Sequence, residues 1–449
     1  MKMIVVPLAL LGLLVLGSRV SAEICTLDNV PAATLLVPYF EVDFKTSTGI
    51  TTLISVNNAS AFATLAHVTL WTDESIPTLD FDIYLTGYDV QTINLRDVFN
   101  GVLPRTADAG ADPGNISNQG PLSQDSDFPG SSGPCGTAST LYPAAPNAAL
   151  SPSLISNIRN SHTGLFSSVY GGCLGLNYGD NIARGYITVD SVKTCDLRFP
   201  SDPGYFSGPA DNRNILWGDY FYADVGENLA QGETMVHIEA CPSPRVGQGA
   251  DDCPFTAGDY TFYGRHVGGA AIDQREPLST NFAARFANGG IFDAGTDLIV
   301  WRDSKVPVGV TIPAHSCTVG RFPWVPLNQA DVVAFDEAEN PQDLCFQGDN
   351  ISPPAGGSET CFPVEAQRVN LISSAVPFGS TPAPPTQFGW MFLNLNTTVT
   401  GQAPALPKAV AQAWVTMVST AEGLLSFGHD AIQLDTVCDN LKGGTRLLP

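Results

Sequence analysis

Between Thr51 and Leu95 apolar and polar residues alternate in short runs divided by turn residues, and a period of two predicts strands. In the run from Thr78 to Leu85, Leu79, Phe81, Ile83 and Leu85 fall on one side and Thr78, Asp80, Asp82 and Tyr84 on the other, the pattern of a half-buried strand. Two runs precede it: Thr51 to Val56, closed by Asn57-Asn58, and Thr64 to Trp71, where Ala66, Val68 and Leu70 oppose His67 and Thr69. Together they predict a β-meander. Upstream, Thr34 to Phe44 reads as another strand, and Pro38, which has no N–H to give a ladder, predicts an edge position or a bulge.

The pattern then lapses. From Pro104 to Pro146 the chain is rich in Gly, Pro, Ser, Asn and Asp with few large apolar groups, an excursion that cannot bury enough surface to form a core. Ser151-Pro152 opens a short helix, with serine as N-cap, proline at the first helical position and Leu154, Ile155 and Ile158 on the buried side. Strand patterns return at Ile182 to Asp190, Asn214 to Asp224, Glu233 to Ala240 and Asp259 to His266. Thr280 to Asn288 reads as a helix with Phe282 and Phe286 on one face, and Leu298 to Trp301 as a strand. Phe388 to Asn396, Val410 to Thr420 and Leu424 to Leu434 form the last β-region. Ala66 to Trp71 and Ala413 to Val418 align without gaps, which suggests a diverged internal repeat. The implied organisation is a leader at 1–22, an N-terminal β-region at 23–104, a loop-rich excursion at 105–180, a middle β-region at 181–339, a Pro/Gly-rich cysteine loop at 340–386 and a C-terminal β-region at 387–449. The C-terminal hairpin, through Val415, Met417 and Leu434, is expected to pack on the N-terminal strands.

The fold class that follows is mainly β: antiparallel β-sandwich regions with long disulfide-tied loops and a few short helices. The strand and turn order over Thr34 to Leu95, and again near the C-terminus, resembles exported bacterial proteins with immunoglobulin-like sandwiches, many of them uncharacterised. That resemblance implies a sandwich fold and brings no functional residues with it, because the fold hosts many activities.

Composition adds a destination. Lys2, the apolar run from Ile4 to Leu16 and Val20-Ser21-Ala22 have the three parts of a secretory leader, so a secreted, periplasmic or cell-surface protein is expected, without membrane insertion. Loss of Lys2 and Arg19 with the leader leaves 19 basic residues against 44 acidic ones, a formal charge of −25, which opposes nucleic acid as a partner. An extracellular protein or a polysaccharide suits that charge better. Ten cysteines without a Cys-x-x-Cys pair predict disulfides, with Cys241 and Cys253, Cys345 and Cys361, and Cys25 and Cys438 as candidate pairs; Cys135, Cys173, Cys195 and Cys317 stay unassigned.

Chemistry is sparse. Gly-x-Ser-x-Gly, His-Glu-x-x-His and the nucleotide-binding glycine motifs are absent from the sequence. Glu233, His237 and Glu239 could converge on a metal if they share one strand face, although Val236 and Ile238 opposite them explain the same pattern as a solvated face. Asp108, Asp112, Asn115, Asp125 and Asp127 supply oxygen ligands of the kind calcium takes, but not at EF-hand spacing, so no cofactor is expected beyond that calcium option. Asp219 and Asp224 lie among Trp217, Tyr220, Phe221 and Tyr222, where rings could stack on sugars; the plainer reading puts Trp217, Phe221 and Ala223 in the core. Asn58, Asn115, Asn350 and Asn396 fit the N-glycosylation pattern. The expectation is a non-enzymatic exported protein with a structural or binding role, the alternative a carbohydrate-active enzyme or carbohydrate-binding protein.

Overall fold

The computed structural model describes residues 30–104, 150–194, 196, 198–241, 261–267, 272–303, 317, 331–343, 362, 364–371, 388–395, 412–421 and 425–434. The leader at 1–22, the five calcium-type ligands between Asp108 and Asp127, and Asn350 and Asn396 lie outside them, as do Cys25, Cys253, Cys345, Cys361 and Cys438.

The architecture is mainly β, with several antiparallel sheets and short helices. The first nine strands are β1 (Thr34–Asp43), β2 (Thr51–Asn58), β3 (Thr64–Thr72), β4 (Pro77–Leu85), β5 (Val90–Asn94), β6 (Ile182–Val192), β7 (Leu216–Asp224), β8 (Leu229–Thr234) and β9 (Val236–Ile238). They form sheet I, in the order β4-β3-β6-β1-β9, and sheet II, in the order β5-β2-β7-β8. Leu35, Val37, Val68, Leu70, Ile187 and Val189 from sheet I and Ile54, Val56, Ile93, Tyr220 and Tyr222 from sheet II belong to one core. Two helices close its end: α1 (Leu95–Phe99) and α2 (Pro152–His162), where the Ser151 hydroxyl accepts from the Leu154 N–H as the N-cap.

The second nine strands are β10 (Asn281–Ala287), β11 (Gly295–Asp303), β12 (Asp331–Asp336), β13 (Pro341–Asp343), β14 (Ala366–Asn370), β15 (Phe388–Asn394), β16 (Gln412–Ala421), β17 (Leu425–Asp430) and β18 (Ile432–Gln433). Sheet III runs β14-β11-β16-β17 and sheet IV β13-β12-β15-β10-β18. Adding nine to each strand number of sheet I gives sheet IV, and doing so for sheet II gives sheet III. The chain is therefore a tandem topological repeat, with every one of these strand pairings antiparallel in both halves. Phe282, Phe286, Met391 and Leu393 from sheet IV and Leu298, Val300, Val415 and Met417 from sheet III make the second core.

The halves share a junction. Ile299, Trp301, Ala366 and Val418, on the face of sheet III turned away from its own core, join the first core instead. Trp301 sits between Tyr186, 5.8 Å between centroids, and Phe262, 5.5 Å away. Arg368 bridges Asp297 at 2.5 Å and Glu41 at 3.1 Å, and the Glu365 and Ala366 N–H groups both donate to the Asp73 carbonyl. A disulfide ties Cys173 to Cys317, two cysteines that spacing left unpaired, while Cys241 is disulfide-bonded.

Several expectations change on this frame. The meander is split: β3 and β4 pair in sheet I, whereas β2 and β5 pair in sheet II. β1 is interior, and Pro38 produces the bulge option, a register shift between Val37 and Phe40. The helix expected over Thr280 to Asn288 is strand β10; Phe282 and Phe286, four apart, fit either period, and the cross-strand partner β15 decides. The strand expected to end at His266 is instead a turn leading into α3 (Gly264–Val267). Val415 and Met417 fill the second core rather than packing on Leu79, Phe81, Ile83 and Leu85. The repeat exists in topology, but β3 and β16, the strands alike in sequence, are not the equivalent pair: β3 corresponds to β12 and β16 to β7.

Candidate functional site

Among the described residues, large apolar side chains are exposed on the outer faces of sheets II and IV. On sheet II the residues that alternate with the buried Leu216, Tyr220 and Tyr222 point outward, so Trp217 is 42% and Phe221 46% exposed. The core reading of Trp217, Phe221 and Ala223 is thus reversed, because Tyr220 and Tyr222 took the inward positions. Cross-strand register sets Trp217 beside Asn57, itself opposite Val90, and Phe221 beside Leu53 and Gly232, with Asp219, Ser55, Thr92 and Thr234 between the two rings. A Cβ on Gly232 would stand 2.3 Å from the Phe221 ring, so glycine there lets the ring lie flat on the sheet. Asp224, at the end of the same strand, accepts from the Glu227 N–H in the β7–β8 turn.

The outer face of sheet IV carries Phe388, Trp390 and Ile432, each exposed. Trp390 stacks on its cross-strand neighbour Phe335, 4.3 Å between centroids and 10° between planes, and Arg285 flanks it on β10. Such stacked pairs on a sheet face are a ready platform for flat apolar partners.

The expected metal ligands do not converge. The strand expected over Glu233 to Ala240 breaks at Met235, so Glu233 lies on β8 of sheet II and His237 on β9 of sheet I. His237 Nε2 accepts from the Gly218 N–H at 3.3 Å, and burial pulls its pKa down. The Glu239 N–H is held by Glu276 and its carboxylate lies 3.5 Å from Asn214. No cluster of three ligand-type side chains occurs among the described residues. Glu233 is of interest for another reason: burial, and then the charge of Asp430, push its carboxyl up to about 7. Sugar attachment has no place at Asn58, whose buried amide donates to the Phe62 and Thr86 carbonyls.

Three polar clusters escaped sequence reading: the first because its residues on the neighbouring strands β3 and β4 read as solvent-facing, the other two because they join residues far apart in the chain. His67 Nδ1 is 2.6 Å from Asp82 and its Nε2 is 3.6 Å from Asp80. Burial lowers the His67 pKa, but the Asp82 bond and the charges of Asp82, Asp80 and Asp190 outweigh it, and the net shift is upward. Burial pushes the Asp80 carboxyl up to about 7, with His67 opposing. Deeper, Arg275 and Asp190, both fully buried, lie 3.5 Å apart, and Tyr205 and Tyr263 both donate to Asp190. At the junction Arg265 makes a bidentate pair with Glu365, 2.8 Å for each bond. A cleft of about 370 Å³ between α2 and the β1–β2 turn is lined by Phe44, Lys45, Ile155, Arg159, Asn160 and Asn181, among others. Lys45 there donates to Asn181, and the Arg159 guanidinium lies 4.7 Å over the Phe44 ring.

No family model, curated protein or solved structure matches this chain. Function therefore rests on the faces and clusters themselves. None of the described helices is long and apolar enough to cross a membrane.

Proposed function

We propose that the chain is an exported, non-enzymatic protein of two immunoglobulin-like β-sandwiches, with a structural or binding role at or beyond the cell surface. The observation that carries this is the placement of aromatics: Trp217 and Phe221 on one outer face, and Phe388 and Trp390 with Phe335 stacked beneath on the other, lie on open sheet faces, where a partner can meet them without a pocket. The buried acids have structural employment, as Asp190 with Arg275, Glu365 with Arg265 and Asp297 with Arg368 illustrate. The acidic balance favours neutral polymers or proteins as partners.

A second reading, a carbohydrate-active or carbohydrate-binding protein, draws on two separate features: the flat Phe221 ring on the same outer face as Trp217, suited to stacking on sugar rings, and the Glu233 carboxyl near 7, the range of a general acid, on the opposite side of sheet II. A polysaccharide panel scored for both retention and reducing-end release separates the two. The non-enzymatic reading expects no release from any polymer. Release that disappears in Glu233→Gln or Asp80→Asn would overturn it.

A further inference from the structure

The junction between the halves is a template for an interface that the chain does not use internally. There the outer face of sheet I meets the outer face of sheet III. By the nine-strand repeat, sheet IV is the counterpart of sheet I and sheet II the counterpart of sheet III. Each half therefore carries one face of each type, and the fold consumes only one of each. Among the described residues, what is left over is a face of the sheet I type, on IV, and a face of the sheet III type, on II.

The side chains follow the topology. In sheet I, Trp71 on β3 pairs with Tyr186 on β6, and the rings stack 5.7 Å apart, 1° between planes, with Trp301 of sheet III against Tyr186. In sheet IV the equivalent strands β12 and β15 carry the pair Phe335 and Trp390, stacked in the same manner, with Phe335 half-buried and Trp390 exposed. In sheet III, Trp301 on β11 pairs with Trp414 on β16. In sheet II the equivalent strands β2 and β7 pair Asn57 with Trp217, and that tryptophan too is uncovered. Charge is complementary as well: Arg285 flanks Trp390, Asp219 lies between Trp217 and Phe221, and the internal junction has its own crossing pair in Arg368 and Glu41.

We propose that copies of this chain associate head to tail, the outer face of sheet IV of one copy docking on the outer face of sheet II of the next. Because two different faces meet, the contact does not close as a two-fold dimer; it propagates into a ring or an open filament. The inference rests on the structural reading above, and names its partner as a second copy. Burial of the aromatic stack supplies the affinity, as it does at the internal junction, and the opposite charges set the register.

The test uses the full-length protein by sedimentation velocity across about a 100-fold range of concentration. Wild type is expected to show a mass that rises past the dimer with concentration. Trp390→Glu blocks the head and Trp217→Glu the tail; both positions are exposed, and near-ultraviolet circular dichroism checks that each variant keeps its packing. Each variant alone is expected to be monomeric, and their mixture to stop at a one-to-one dimer, because one complementary pair of faces remains. A monomeric wild type throughout, a variant that still dimerises alone, or a mixture that does not associate would each overturn the proposal. Retention on a polysaccharide column that Trp217→Glu abolishes, with wild type monomeric, overturns self-association while leaving a binding role in place. Sugar release dependent on Glu233 instead removes the structural reading itself.

Discussion

His162 is buried between Phe40 and Phe99, 5.4 and 5.2 Å between ring centroids, with Nδ1 donating to the Arg184 carbonyl at 2.8 Å and Nε2 accepting from Thr78 Oγ1 at 2.7 Å. Both nitrogens are satisfied in the neutral ring, and burial pushes its pKa down to about 4, with only the Arg184 carbonyl opposing. In the unfolded chain histidine titrates near ~6.5. The folded value is the lower one, so between the two values the unfolded state binds more protons and stability rises with pH. The contribution is fully present above about 6.5 and is lost as pH falls through the window toward 4. At ~1.4 kcal/mol per unit, the window costs about 3.4 kcal/mol in all, of which about 2 is lost by pH 5. Urea unfolding of wild type and His162→Gln at pH 7 and pH 5 isolates this, because the other titrating groups are common to both proteins. The stability advantage of wild type should shrink by about 2 kcal/mol on going to pH 5. An advantage that stays constant to within about 0.5 kcal/mol would refute the reasoning.

The packing sets three further expectations. Trp301→Ala should cost about 3–5 kcal/mol in denaturant unfolding, since it empties the centre of the junction; a loss below about 1 kcal/mol would show that the halves do not depend on it. Cys173→Ala should cost about 2–5 kcal/mol, and intact mass after alkylation without reductant should show no reagent on Cys173 or Cys317 in wild type. Gly232→Ala should tilt Phe221 off the sheet and weaken copy-to-copy association by about tenfold, with stability changed by less than about 1 kcal/mol; unchanged association speaks against that ring as a contact.

Alternation in the sequence located β2, β4, β7 and β15, but β10 in sheet IV read as a helix, and β12, β13 and β14 passed unread, the last two inside the expected cysteine loop at 340–386. β7 is the instructive case: its alternation was visible, but which side was core was not, because both sides carry aromatics and only the partner sheet distinguishes Tyr220 from Phe221. In β1 and β3 every side chain from Thr34 to Val42 and from Thr64 to Thr72 is buried, since sheet I is covered on both faces, so polar residues such as His67 and Thr69 read as solvent-facing and are not. The Ser151-Pro152 helix start was legible because capping is local. The Asp190–Arg275 and Arg265–Glu365 pairs were not, since each closes a separation in sequence that no motif spans. The break at Met235 that parts Glu233 from His237 follows from β8 and β9 belonging to different sheets, a tertiary fact without a local breaker residue.

During synthesis the first nine strands emerge before Trp301, Arg265, Glu365 and Arg368 exist, so for that interval Tyr186 lacks the ring of Trp301 against it and Glu41 has Arg184 beside it but not Arg368. Over the same interval the nascent half presents two uncovered sheet faces of complementary type, and a neighbouring nascent half can satisfy either one. The molecule's own second half must arrive sooner than a neighbour does. Spacing between neighbouring nascent chains thereby becomes a determinant of whether monomers or interlocked products are made.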